Sequence, residues 1–180
     1  MSRYNTTFLG AEQQHNYALH QRIDEILLSR PEIKNFVEIG SGNAALTVIL
    51  GLHAFVRKGN CITFELQLRP GYIRLAEVLR QLNVITMLGS CFSLPGLIHA
   101  YCQEPCFVFC DGDDKPRQLA TFAPYLLPGS IVACHDLGHE FELKDIEETV
   151  TTLGLVPVLE SAWQEVQTCF YTKKANKDDE

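Results

Sequence analysis

The segment FVFCDGDDKP, residues 107–116, runs four apolar residues into three carboxylates within four positions: Asp111, Asp113 and Asp114. Like charges at that spacing repel one another, and at the end of a buried strand each also resists losing its water. Two kinds of chemistry suit the arrangement. A site built for a cation or a proton uses the negative charge. Magnesium needs only one or two carboxylates among its oxygen ligands, and a carboxylate that can still be protonated serves as a general base. A polar turn, by contrast, uses only the backbone preferences of Asp and Gly. Asp113 or Asp114, standing just ahead of Pro116, then caps a helix. The residues alone leave both readings open. A second polar strand end, ACHD, supplies Asp136 and one more candidate base, His135.

The elements that position these groups are legible from hydrophobic pattern. NFVEIGSG, CITFEL, VITMLG, CFVFCDGD and SIVACHDLG read as five strands, each apolar along most of its length, as strands buried on both faces are. NAALTVILGLHAFV, PGYIRLAEVLRQLN and KPRQLATFAPYLLP read as helices between them, and SLPGLIHAYC as a short, irregular one. Residues 11–29 place Tyr17, Leu19, Ile23, Ile26 and Leu27 at helical spacing ahead of Pro31. After the fifth strand come a charged surface helix, ELKDIEETVTTLG, and two strands, LVPVLESA and VQTCFYTKK, whose short connection suits antiparallel pairing. The predicted fold class is α/β: a single Rossmann-like domain with a mostly parallel central sheet, an antiparallel last strand and helices on both faces. The domain is expected to span residues 1–172. The polar run KKANKDDE, residues 173–180, is too poor in apolar groups to fold and is expected to be disordered.

Ligands of such sheets gather beyond the carboxyl ends of the strands. Those ends carry Glu38, Gly40, Ser41, Gly42 and Asn43; Glu65; Gly89, Ser90 and Cys91; Asp111, Asp113 and Asp114; and His135 with Asp136. Gly40, Gly42 and Ala45 spell the G-x-G-x-x-A form of a nucleotide-binding turn. Glu65 follows Gly40 at about the offset of an acid that takes ribose hydroxyls. Glu38, two residues before the turn, would repel a pyrophosphate. It suits a cofactor with a cationic amino-acid end, which favours S-adenosyl-L-methionine (SAM) over a nicotinamide dinucleotide.

Composition narrows the partners. The net charge is −7 and no basic patch stands out, so nucleic acid is not an expected partner. No apolar run approaches the roughly 20 residues of a membrane span. A soluble, cytoplasmic protein is the expectation. Seven cysteines, an odd number lying mostly in apolar runs, read as buried free thiols of a reducing compartment. Cys102, Cys106 and Cys110 repeat every four residues, but the last two fall in or beside a strand and do not converge as metal ligands. His15, His20, His53, His99 and His139 are given no role and read as surface or packing residues, and Trp163 as packing at the closing strand pair.

FVEIGSGNAALTVIL, ITFEL, VITMLGS, FVFCDGDD and LLPGSIVACHD, in that order across residues 36–136, resemble class I SAM-dependent methyltransferases. The last two segments are similar to the small-molecule O-methyltransferases that include the macrocin O-methyltransferase and cephalosporin hydroxylase-like group. The resemblance implies that Glu38, Gly40, Ser41 and Gly42, with Asp111 nearby, hold the methionine end of SAM. It places Glu65 on the ribose and Ser90 with Cys91 against the adenine, although an acid is commoner where Ser90 stands. In metal-dependent relatives Asp111 and the pair His135 and Asp136 match a magnesium site, with Asp111 and Asp136 as the ligands. Asp114 stands where a histidine is often found, and Leu137 where a further ligand is. Asp113, Asp114 or His135 would then take the proton of a small-molecule hydroxyl acceptor. Gln13, Gln14 and Tyr17, ahead of the first strand, are substrate-side candidates by analogy. A homodimer is compatible with the short acceptor loops. A binding protein that keeps the fold without catalysis is the alternative.

Overall fold

The computed structural model describes residues 6–13 and 15–174. The chain begins with a hairpin of β1 (Thr6–Phe8) and β2 (Ala11–Gln13), joined by Leu9 and Gly10, both at positive φ. Two consecutive positive φ values give the turn whose twist matches paired strands. Residues 11–13 thus correct the expectation of one helix from residue 11. The helix α1 (Tyr17–Leu28) starts later, where the Asn16 side chain accepts from the Ala18 amide at 3.0 Å.

The alternation that follows is β3 (Asn35–Ile39), α2 (Ala45–Arg57), β4 (Asn60–Glu65), α3 (Pro70–Gln81), β5 (Val84–Leu88), α4 (Pro95–Tyr101), β6 (Cys106–Cys110), α5 (Lys115–Phe122) and β7 (Ile131–His135). A short α6 (Glu147–Thr152), β8 (Leu155–Val158), α7 (Trp163–Val166) and β9 (Thr168–Lys173) close the chain. Every residue of β3, β6 and β7 is buried, which is why these strands read as unbroken apolar runs.

The sheet order is β5-β4-β3-β6-β7-β9-β8, parallel except for β9, which runs antiparallel to both neighbours. From β3 the chain steps outward through β4 to β5, then crosses back to lay β6 on the other side of β3. That reversal opens a crevice at the carboxyl ends of β3 and β6. The register fixes what meets there. Ile39 pairs with Cys110, so Gly40 and Asp111 leave the sheet side by side, and the Asp111 amide donates to the Ile39 carbonyl at 2.8 Å.

All seven cysteines are buried as free thiols, with Cys110, Cys134 and Cys169 aligned across β6, β7 and β9. Trp163 ties the closing strands: its indole N–H donates to the Val158 carbonyl at 2.9 Å and its ring packs on Tyr171. Lys173 still belongs to β9, and residues 175–180 of the expected tail lie outside the described residues. Among the described residues no helix is long and apolar enough to cross a membrane.

Candidate cofactor and catalytic site

The turn after β3 is held from three sides. Gly40, Gly42 and Ala44 all have positive φ. Glycine is required at position 40, because a methyl group there would run into the backbone carbonyl of Asp111. The Gly40 amide donates to the Phe64 carbonyl at 2.9 Å. The Glu65 carboxylate accepts the Gly42 amide at 2.7 Å and the Leu66 amide at 2.8 Å. Glu65 therefore fastens the turn to the end of β4, while each oxygen keeps acceptor capacity for a further donor. The helix α2 starts from Ala44 without a side-chain cap and without an acid in its first turn.

Glu38 lies fully buried beneath this turn. The hydroxyls of Thr47 and Thr63 donate to its Oε2 at 2.5 and 2.8 Å. Its Oε1 and the Oγ of Ser41 are buried with no hydrogen-bond partner among the described residues. Burial pushes the Glu38 carboxyl up to about 7, against the pull of the two threonine bonds. A buried polar atom left unpaired costs ~1–3 kcal/mol. Two such atoms sit beside a glycine turn: a carboxyl oxygen, and a hydroxyl that can both accept and donate.

A second cluster stands at the ends of β6 and β7. His15 is buried and its Nε2 lies 3.0 Å from Asp111 Oδ2. Burial works against the imidazolium, but the bond to Asp111 and that carboxylate's field outweigh it and raise the His15 pKa. Asp111 is lowered in turn: burial opposes its charge, and His135, His15 and Lys115 overcome that. His135 stands edge-on to His15, ring centres 4.7 Å apart. Its Nδ1 lies 2.8 Å from Thr168 Oγ1, which is 2.9 Å from the Val166 carbonyl. The single hydroxyl hydrogen goes to the carbonyl, so the hydroxyl oxygen accepts from Nδ1–H. This fixes the tautomer and leaves a lone pair on Nε2. Burial, chiefly, with the charge on His15, holds the His135 pKa below the usual histidine value despite the pull of Asp111.

Lys115 completes the cluster. It is 3% exposed, and its Nζ lies 3.1 Å from Asp136 Oδ2 and 3.7 Å from Asp111 Oδ1, and also bonds Glu140. Burial disfavours its charge, but the three carboxylates keep its pKa above the usual lysine value.

The other expected site residues fall at the margins. Asp114 caps α5, accepting the Arg117 amide at 3.1 Å, and is exposed, as is Asp113. Ser90 caps the short 3-10 turn Cys91–Ser93 through the Phe92 amide, and Cys91 is buried behind it. Tyr17 is exposed, and Gln14 and the side chain of Gln13 lie outside what is described. Sequence reading missed His15, a solitary histidine brought to Asp111 from 96 residues away. It also missed Lys115, the first residue of α5, which the turn after β6 brings back to within 3.7 Å of Asp111. The guanidinium of Arg117 over the Phe92 ring, 4.2 Å from its centre, went unread too.

The donor set suits SAM: a buried carboxylate for its ammonium group, free acceptor capacity at Glu65, and a turn that brings bare backbone close. Space is another matter. The cavity bounded by Glu12, His15, Gly40, Gly42, Asn43 and Asp111 holds about 20 Å³, whereas cofactor sites run to several hundred. That cavity lies at the glycine turn, on the side of a methionine end rather than of a nucleoside, and is bordered by Glu12 and His15 of the N-terminal strip. Magnesium fits less well between Asp111 and Asp136. An ammonium group already bridges those carboxylates, and the other groups facing Asp111 are imidazoles rather than the oxygens magnesium prefers.

No family model matches the sequence, and no curated protein matches it. Solved structures do. An apo structure of CmcI superposes with a TM-score of 0.72 at 14% identity, over 95% of this chain and 77% of that one. A form of CmcI with magnesium and SAM gives 0.68 at 12%, over 95% and 78%. TomG from Streptomyces achromogenes, an O-methyltransferase involved in tomaymycin synthesis and crystallised with SAM, gives 0.62 at 15%, over 89% and 81%. The chain has a Rossmann-like methyltransferase fold. At these identities the likeness speaks for the architecture alone.

Proposed function

We propose that this protein is a SAM-dependent methyltransferase acting on a hydroxyl of a small molecule. The observation that carries the reading is Glu38: a fully buried carboxyl with one oxygen unpartnered among the described residues, set under a glycine turn at the switch point of the sheet. SAM, when bound, supplies a methyl group made electrophilic by its sulfonium.

The chain's own groups do the rest. Glu38 and Ser41 give the methionine end its acceptors, and a cation there restores the charge that burial suppresses on Glu38. Glu65 takes the ribose hydroxyls with the acceptor capacity its two amide bonds leave. Ser90 and Cys91 line the adenine side. His135 Nε2 receives the acceptor's hydroxyl proton. The Thr168–Val166 relay holds the ring in place, and Asp111 stabilises the imidazolium that forms. Alignment of nucleophile and methyl is the larger contribution such a site makes. Asp114 is assigned to capping and Asp113 to solvent.

The test is formation of S-adenosylhomocysteine from SAM on a panel of hydroxylated acceptors. Turnover in the wild type that falls at least ~100-fold in His135→Gln supports the reading. Unchanged turnover in that variant removes His135 as the base. The small cavity favours one other reading, a binding protein of the same fold. SAM binding without product on any acceptor would select it.

A further inference from the structure

We propose that His15, Asp111 and His135 form a site for a borderline first-row divalent cation of the zinc class, and that this ion, rather than magnesium, is the metal the protein takes. The inference needs no cofactor, and because His135 Nε2 is also the base proposed above, metal binding and proton transfer at that atom exclude one another.

The donor atoms of the three side chains lie within 4.8 Å of one another, and His15 Nε2 and Asp111 Oδ2 are already 3.0 Å apart. Zinc bonds of about 2.0–2.2 Å in tetrahedral geometry place donor atoms roughly 3.3 Å apart. Closing the widest pair from 4.8 Å therefore takes at most about 1.5 Å, shared between two side chains. Two imidazoles with one carboxylate select zinc, cobalt, nickel or iron over magnesium, which wants oxygen.

The surroundings match the same conclusion from a different direction. A metal-binding histidine characteristically donates its other ring N–H to a fixed acceptor, which orients the ring. His135 does so through Thr168 to the Val166 carbonyl, which leaves Nε2, 3.6 Å from Asp136 Oδ1, as the ring atom available to the site. Lys115 meanwhile pairs with Asp136 and Glu140 and reaches Asp111 only at Oδ1, 3.7 Å away, so Oδ2 beside His15 is the Asp111 oxygen left for the ion. His15 gives up its proton to the solvent on binding, as a histidine ligand must. The three ligands come from the N-terminal strip, the end of β6 and the end of β7. Together they would fasten the strip across the sheet and leave coordination positions open.

The experiment is titration of tag-free protein with Co²⁺, without SAM and in excess Mg²⁺, followed by visible absorption. The expected result is one cobalt bound per chain, with d–d bands of nitrogen and oxygen ligation and displacement by Zn²⁺. Affinity should fall at least about tenfold in His15→Gln and in His135→Gln and stay unchanged in Asp136→Asn. If His135→Gln does not fold, as circular dichroism would show, His15→Gln in the covering strip carries the test alone. Any of four results overturns the proposal: no cobalt spectrum, a thiolate-to-cobalt charge-transfer band, displacement by Mg²⁺, or full affinity in His15→Gln.

Discussion

Burying Glu38 makes its protonation state a part of the protein's stability. Its folded pKa is raised from 4.5 to about 7. The stability that comes from the neutral carboxyl is therefore complete below pH 4.5 and is lost as pH rises through 7. The shift corresponds to ~3 kcal/mol at pH 8. Glu38→Gln keeps a carbonyl oxygen for the hydroxyls of Thr47 and Thr63 and carries no charge. Denaturant unfolding should find it more stable than the wild type at pH 8, by up to ~3 kcal/mol, and equal at pH 4. Lower stability at pH 8 would mean that the carboxylate is satisfied in the folded protein without a ligand. A buried acid that lowers stability at working pH beneath a glycine turn is the kind of local conflict the proposed role in holding a cation would explain. His135 offers a second prediction at this scale. Thr168→Val removes the acceptor of Nδ1–H without touching Nε2, and the rate of methyl transfer should fall ~10–100-fold while the SAM affinity holds. An unchanged rate would show that the tautomer needs no fixing. Glu38, Gly40, Gly42 and Glu65 were readable in the sequence because they crowd into two strand ends. His15 was not, since nothing local distinguishes a histidine whose partner lies 96 residues on.

Among the elements, α5 answers the question that DGDD posed. Asp114 is the residue that caps this helix, through the Arg117 amide, and it is exposed. Asp114→Ala should cost ~1 kcal/mol in denaturant unfolding and leave the turnover rate within about twofold. A large loss of rate at unchanged stability would return Asp114 to catalysis. Both carboxylates that leave β6 and β7 into the crevice, Asp111 and Asp136, are meanwhile shared with Lys115, so the aspartates of this strand end divide between a cap and a charged network. β3, β4, β6 and β7 were legible because a strand buried on both faces has no polar alternation to blur it, whereas β5 lies at the sheet edge with Ile85 and Leu88 exposed and was legible from its apolar residues alone. The hairpin of β1 and β2 was not. Its six residues precede a helix with strong apolar spacing, and the periodicity of that helix extends plausibly back to Ala11 until Asn16 is recognised as its cap.

At the scale of the whole molecule, strand order is what gathers the site, and order is a long-range property that no local pattern in the sequence encodes. Laying β6 beside β3 brings Gly40 to Asp111, and laying β7 beside β6 brings His135 to the same rim. The N-terminal strip then closes over the result, with His15 on Asp111 and only about 20 Å³ left beneath it. On the proposed function, the ammonium end of SAM would draw its affinity from the charge on Glu38. The most direct measurement is calorimetric titration of the full chain with SAM at pH 6 and pH 8, in the wild type and in Glu38→Gln. A cationic ligand favours the ionised carboxylate. The wild type should therefore bind more tightly at pH 8 than at pH 6 and release a proton on binding at the lower pH, with affinity levelling above about pH 7. Glu38→Gln should lose both the pH dependence and most of the affinity. Equal binding of SAM by the wild type and Glu38→Gln at both pH values, or no binding by either, would contradict the assignment of this turn as a SAM site.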